Sequence, residues 1–528
     1  MTRGPSRFKV PEFIAELGRP RAALLALVAG SLALFAAGLD PRVFSSGTPD
    51  AQTALREQPQ LEALFLLGSV AEAACLLIGG VLGDVVGRRR ILMLGLLSLA
   101  VCEAGAMLTG EGLLFYAFRI AAVASVGLVL PVSLAIVAVA YKGAARATAL
   151  GLAYSASGAA TAIAPAILLA VTPAVGRWPS FLLAMVVALA ALYVARRVIP
   201  SIEPTGLSPR AVYPHAVWAF GLIAVTGGLV GFRANSESVI RIVLIVGGTL
   251  LVGLFLVAQR RRGGGPSDTA IDIRPTTVAL VAGVVIAIAQ VGPTLEIPLF
   301  FQIAQRFAPL LATLATAPFI IALIVSGPIA GALLTRYSPR TLIAAGLAIV
   351  GAGDLILAQA AVDTTYLFFI VPFFAVGAGF VVGTSVRTAV IFASTPRRLP
   401  ATAAALNQTS LVVGGQAGIA AVTALVSSAA IAWYSATLPI GTDAASAVND
   451  FRDFLRAVGT SEFGQVLGDL SSSTSVAYGQ AFAAGVHTAM SYIGAAAILA
   501  AVICWLAMPP SEQVDTVFEL REERQPAG

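Results

Sequence analysis

GGVLGDVVGRRR, from Gly79 to Arg90, sets four charges within seven residues between two long apolar runs, 61–83 and 91–109. A run of about 20 apolar residues is long enough to cross a bilayer as a helix. Among open structures, only a helix satisfies its own backbone in lipid. The glycines permit a tight turn and close helix approach, and three consecutive arginines belong on the cytoplasmic side of a membrane. The stretch is therefore the turn between two spanning helices, and it orients both.

Working outward from that turn, further apolar runs occupy 22–40, 114–140, 149–172, 179–198, 213–232, 239–258, 276–301, 309–334, 341–361, 365–389, 403–436 and 481–508. With the first two they make fourteen expected spans. The composition agrees: 58% of the 528 residues are hydrophobic and 11% charged, against about 25% charged in a soluble domain. The mean hydropathy is +0.89. A formal charge of +6 would elsewhere suggest nucleic acid. Here the basic residues stand as short clusters between apolar runs, which is a topological pattern, so no nucleic-acid partner is expected.

Alternate connections carry Arg88-Arg89-Arg90, Lys142 with Arg146, Arg196-Arg197, Arg260-Arg261-Arg262, Arg336 with Arg340, and Arg397-Arg398. The longest intervening connection, 437–480, is acid-rich, with Asp443, Asp450, Asp453, Glu462 and Asp469. Both termini are thus expected in the cytoplasm, which requires an even number of spans. The basic start of the first run is too long for a cleaved signal peptide. Only Lys9 and Lys142 are lysines among 33 basic residues; with abundant Ala and Gly, this bias suggests a bacterial plasma (inner) membrane. Residues 6–17 could form a short surface helix or a tail. In 450–470, Phe451, Phe454, Leu455 and Val458 have helical spacing, as in a helix on the outer surface or loop filler.

The turn after the tenth span, GALLTRYSPR (Gly331–Arg340), repeats the first one weakly. Gly80 superposes on Gly331, Leu82 on Leu333, Asp84 on Thr335 and Arg89 on Arg340. The repeat divides the chain into a cytoplasmic segment 1–21, a six-helix half 22–200, a two-helix insertion with linkers 201–272, a second six-helix half 273–508 and a cytoplasmic tail 509–528. Parallel six-helix repeats of this kind build a class of secondary transporters.

Gly80, Leu82, Asp84, Gly87, Arg88 and Arg89 fill the pattern G-x-L-x-D-x-x-G-R-[RK], and here the chain resembles the major facilitator superfamily, in particular its fourteen-span drug:proton antiporter branch. That resemblance implies an all-α integral membrane fold of two six-helix halves plus two inserted central helices. It also implies a gating loop in which Asp84 reaches a neighbouring helix terminus while the arginines pair with carboxylates of the other half. Ile271–Arg274, Gln302, Pro309, Pro318 and 395–425 with Asn407 and Gln408 extend the similarity, as does Leu39-Asp40 followed by Pro49. The chain also departs from the branch. Arg119 matches the arginine associated with proton coupling, but Ala122-Val123 stands where Gln-Gly is expected. The Gly-Pro…Gly-Gly element of the fifth helix is replaced by Ala164-Pro165 and Ile167-Leu168-Leu169.

A charge at the bilayer centre costs about 2.5–3.5 kcal/mol on the mildest scale, so each one on a span asks for a function. Asp40, Glu103, Arg119 and Glu296 are candidates for proton coupling. Glu103 and Arg119 are placed to pair, structurally or as a relay. Glu296, in GPTLEIP, lies beside a helix broken by two prolines or in water at the external mouth. Glu72, Gln302, Asn407 and Gln408 are candidates for lining a substrate cavity. Asp354 is expected to face solvent through a kink after Gly351, and Arg387 to snorkel towards the inner end.

Cys75, Cys102 and Cys504 all lie in apolar runs, and His215 and His487 have no metal-ligand spacing, so neither disulfide nor metal is expected. No nucleotide-binding or nucleophile motif appears, and no cofactor or enzymatic activity follows. The expected function is alternating-access export of lipophilic or amphipathic small molecules, drug-like compounds or lipids, coupled to protons and carried out by a monomer among membrane lipids. The alternative is a non-transporting membrane sensor or assembly partner on the same fold.

Overall fold

The computed structural model describes residues 21–47, 59–109, 112–142, 145–160, 178–199, 272–395, 399–439, 443–457 and 463–509, with scattered positions between 221 and 250. Apart from those scattered positions, the spans expected at 213–232 and 239–258 lie outside the described residues, as do the segment 6–17, Pro49, Val458 and the altered element at 164–169.

Among the described residues all regular structure is helical. The first half comprises α1 (Arg21–Gly47), α2 (Pro59–Leu82), α3 (Arg88–Leu108), α4 (Leu113–Ala140), α5 (145–160) and α6 (Trp178–Val198). The second half begins with α7 (Ile273–Val291), which passes through a π-helical turn, Gly292–Glu296, into α8 (Ile297–Ile303). There follow α9 (Pro309–Leu314), α10 (Ala317–Leu334), α11 (Pro339–Leu357), α12 (Leu367–Ser394) and α13 (Pro400–Thr437). The last helices are α14 (Ala444–Ala457), α15 (Phe463–Asp469) and α16 (Ser472–Ala507).

Ten stretches of described residues are long and apolar enough to cross a membrane; one of them, Ala71–Leu108, runs from within the second expected span through most of the third. Between those two the chain passes through a second π turn, Gly83–Gly87, and Gly87 adopts φ 114°. A side chain rarely tolerates that conformation, so glycine marks the change of direction.

Lipid tails are as apolar as leucine, so helices in a bilayer associate through close packing and hydrogen bonds. Small residues make that packing possible here. A Cβ on Gly351 of α11 would lie 2.6 Å from the Gly494 carbonyl of α16, and one on Gly127 of α4 would lie 2.6 Å from the Glu72 carbonyl of α2. Large apolar side chains point outward instead: Leu94 and Val101 on α3, Val371 on α12, Leu499 and Leu506 on α16. So large an apolar exterior suits lipid contact.

At 38 residues, α13 is about 57 Å long, well beyond a hydrocarbon core of about 30 Å. Near its far end Tyr434 meets α14. Phe451 of α14 lies tilted against Tyr434 and Tyr478, with ring centroids 4.8 and 4.7 Å away, and Phe454 lies 4.8 Å from Tyr478. The helical spacing of the two phenylalanines thus belongs to a short helix docked on the ends of α13 and α16.

Candidate functional site

The first four N–H groups of a helix lack internal partners and carry partial positive charge. The N-cap position of α13 is Leu399, whose side chain supplies no hydrogen bond. Asp84, on the π turn of the other half, supplies it instead. Its Oδ1 accepts the Ala401 N–H at 3.0 Å, and its Oδ2 accepts the Thr402 N–H at 2.8 Å and the Thr402 hydroxyl at 2.9 Å. The residue is 1% exposed. Gly80 allows this approach, because a Cβ there would lie 2.5 Å from the Ala405 methyl and 2.6 Å from the Ala401 carbonyl. Leu82, one turn before Val86, is exposed on the outer side of the same helix.

The arginines behave differently from expectation. Arg88 lies 3.9 Å from Asp84, one turn earlier in its own half, and Arg89 donates to the Arg196 carbonyl at the end of α6 at 2.8 Å. Arg340 stacks over Trp505, 3.9 Å from the ring centroid, within the second half. Their side chains pack onto helix ends and an aromatic ring of their own halves, and of this turn's charges it is Asp84 that reaches the other half.

The repeat partner of Gly80 occupies a matching crossing. Gly331 of α10 sits so close to α5 that a Cβ would overlap the Thr148 hydroxyl. One turn away, a Cβ on Gly327 would lie 2.7 Å from the Gly151 carbonyl, and Ser155 donates to the Leu323 carbonyl at 2.6 Å. Thr335, at the position corresponding to Asp84, bonds back to Ala332 of its own turn. The two crossings therefore share glycine packing, and the cross-half carboxylate cap belongs to the α2–α13 crossing. This end of the bundle is closed.

Above the closed end, Tyr154 of α5 enters a polar cluster of the second half. Its hydroxyl donates to Gln408 Oε1 at 3.0 Å, accepts from Asn407 Nδ2 at 2.6 Å and lies 3.3 Å from Thr388 Oγ1. Thr388 also donates to Asn407 Oδ1 at 3.1 Å. Ser410 donates to the Asn407 carbonyl at 2.6 Å and accepts from Arg387 Nη1 at 3.0 Å. Arg387 does not snorkel. It is 0% exposed, held over Gly283 of α7 between α12 and α13, where its tether is too deep in the helix packing to reach an interface.

The remaining intramembrane charges are dispersed. Glu103 of α3 and Arg119 of α4 form an ion pair at 3.0 Å, with the guanidinium 5.6 Å from the ring centroid of Phe181 on α6. This pair lies inside the first half. Glu296, at the end of the π turn Gly292–Glu296, is 2% exposed and accepts the Thr423 hydroxyl of α13 at 2.9 Å, so it does not stand in an open aqueous mouth. Asp354 is 0% exposed, packed between α11 and its neighbours and not turned to solvent. Glu72 is half-buried on α2, with its backbone carbonyl against Gly127 of α4. Gln302 is half-buried and donates to Pro298 of its own helix at 3.3 Å. The side chain of Asp40 lies outside the described residues.

Of the expected cavity residues, then, the fold brings together Asn407 and Gln408, and leaves Glu72 and Gln302 elsewhere. It adds Tyr154, Thr388, Arg387 and Ser410. The hydroxyls carried no signal in the sequence, since Ser and Thr satisfy themselves on their own helix at most positions. Tyr154, the polar aromatic residue of an Ala- and Gly-rich span, was the legible clue.

Two helical halves that meet at a capped helix terminus and share a polar core across the interface, in a bundle with a lipid-facing exterior, define a membrane transport scaffold. Residues 24–419 match the Major Facilitator Superfamily, and the chain belongs to that family of transporters. It is 25% identical over 507 residues to the tetracenomycin C resistance and export protein of Streptomyces glaucescens, covering 92% of this chain and 91% of that one. It is 26% identical over 364 residues to the multidrug efflux pump LfrA of Mycolicibacterium smegmatis, covering 67% and 70%. The solved structure of a human organic anion transporter shares the fold, with a TM-score of 0.57 at 12% identity over 92% of this chain and 99% of that one. The chain is a divergent relative of these exporters.

Proposed function

We propose that the chain exports hydrophobic or amphipathic small molecules, drug-like compounds or lipids, by alternating access coupled to protons. In this reading it works as a monomer in the bacterial inner membrane, with both termini and the Asp84 end in the cytoplasm. The observation that carries it is the Asp84 cap on α13. The cap joins the two halves through three hydrogen bonds from one carboxylate, so it can break as a unit when the halves rock. The exporter relatives support the direction and the cargo class. A gradient is the natural driver, one charge moved through 100 mV being worth about 2.3 kcal/mol. Glu296, on a π turn against α13, and the Glu103–Arg119 pair are its proposed proton carriers, together with Asp40.

The test is transport in proteoliposomes under an imposed proton gradient, with a panel of lipophilic cations and lipids. Glu296→Gln keeps an acceptor for the Thr423 hydroxyl but cannot carry a proton. It is expected to abolish gradient-driven movement while preserving substrate exchange. Full driven transport by the variant makes Glu296 structural; no movement of any probe by the wild type overturns the export reading.

A further inference from the structure

Arg387 has five N–H donors and uses only Nη1, towards Ser410 at 3.0 Å and the Ala279 carbonyl at 3.4 Å. Among the described residues its Nε and Nη2 have no hydrogen-bond partner, although the side chain is 0% exposed. The ion pairs formed by Arg88 with Asp84 and Arg119 with Glu103 do not involve it. Three residues earlier on α12, and so on the same face, the buried hydroxyl of Thr384 also lacks a partner. Gly283 opposite leaves room for the guanidinium, since any side chain there would overlap it.

Leaving a buried cation uncompensated is strongly unfavourable. A fork of free guanidinium donors beside an unused hydroxyl matches the geometry of a carboxylate or phosphate. The cluster is linked through Ser410 and Asn407 to Tyr154, the side chain that the first half lays over this region. Parting the halves withdraws Tyr154 and uncovers it.

We infer that Arg387 and Thr384, with Ser410 holding the guanidinium in place, form an oxyanion subsite on the second half, covered by Tyr154 in the closed arrangement. It takes the carboxylate or phosphate group of an amphiphile or a free small anion. The inference deepens the export reading, on which the opening of the subsite rests, by adding an acidic head to the cargo class.

The experiment measures binding of radiolabelled dodecanoate, acetate and tetraphenylphosphonium to the full chain in phosphatidylcholine nanodiscs. The wild type is expected to bind an oxyanion saturably, and Arg387→Gln to weaken it at least tenfold, as loss of a charge-assisted bond implies. Arg387→Lys should weaken it less, and tetraphenylphosphonium binding should be unchanged. Because the variant removes an uncompensated charge, the ligand-free melting temperature should stay level or rise, where a structural arginine would lower it. Displacement of dodecanoate by acetate marks a free anion as the ligand, and resistance to it marks an amphiphile. Equal loss of anionic and cationic probes with a lower melting temperature overturns the subsite, as does a wild type that binds neither anion. In that last case lipophilic-cation transport still stands or falls separately. If Arg387→Gln does not fold, Thr384→Val decides: undiminished oxyanion affinity overturns the inference.

Discussion

Thr402 of α13 is capped by Asp84 of the opposite half, its amide N–H donating at 2.8 Å and its hydroxyl at 2.9 Å. The two residues are 318 positions apart. A carboxylate does here what a local Ser or Asp does at an ordinary helix start, and it does so between the two halves. If the halves rock apart as proposed, the cap contributes to conformational equilibrium as well as to stability.

Asp84→Asn tests that double role. The amide offers one acceptor oxygen and turns an N–H₂ towards a backbone N–H. Losing a cap costs about 0.5–2 kcal/mol, all of it charged to the closed arrangement. Spin labels at the exposed positions Arg90 and Tyr337 lie on opposite halves at this end. Their distance distribution should shift to longer values in the variant, and transport should slow. An unchanged distribution would show that the cap does not set the equilibrium.

The matching crossing is steric. At Gly331 an added methyl overlaps the Thr148 hydroxyl and comes within 2.7 Å of the Thr148 backbone nitrogen. The neighbour's backbone cannot rotate away, so Gly331→Ala should separate α10 from α5, widening the same label distance and lowering the melting temperature. Thr148→Ala in the same chain should restore only part of the loss, because the backbone contact remains. Complete restoration would place the whole effect on the hydroxyl.

For the Glu103–Arg119 pair the prediction separates packing from proton transfer. Removing one partner of a buried pair leaves the other charge uncompensated, at a cost of about 3–5 kcal/mol, whereas replacing both with apolar groups is often neutral. Glu103→Gln should thus lower thermal stability markedly, and the double variant Glu103→Leu, Arg119→Met should recover most of it. If the pair carries protons, the double variant remains stable yet loses gradient-driven transport. Driven transport by a stable double variant would assign the pair to packing alone.

Much of the architecture was legible in the chain because the bilayer is a severe solvent. Apolar runs of spanning length and arginine clusters between them follow from backbone satisfaction and charge placement alone. The pattern around Gly80 marks a tight turn with close helix approach, and its echo at Gly331 marks the equivalent turn of the second half. Arg387 was misjudged for a related reason. Its distance along the helix from the basic end suits a snorkelling side chain, but which face of α12 it occupies, and that Gly283 makes room for it there, depends on packing.

By itself, then, the sequence determined a polytopic helical transporter-type chain with a repeated glycine turn carrying an acid at Asp84, all features set by solvent and by residue spacing along one helix. Tertiary structure alone decided what the turn's charges touch: Asp84 reaches across to Thr402 while Arg88 and Arg89 stay on their own half. It also gathered Tyr154, Thr388, Asn407, Gln408, Ser410 and Arg387 into one cluster. Those choices depend on the rotation and depth of helices against one another, which small residues far apart in the chain set jointly and which no local pattern encodes.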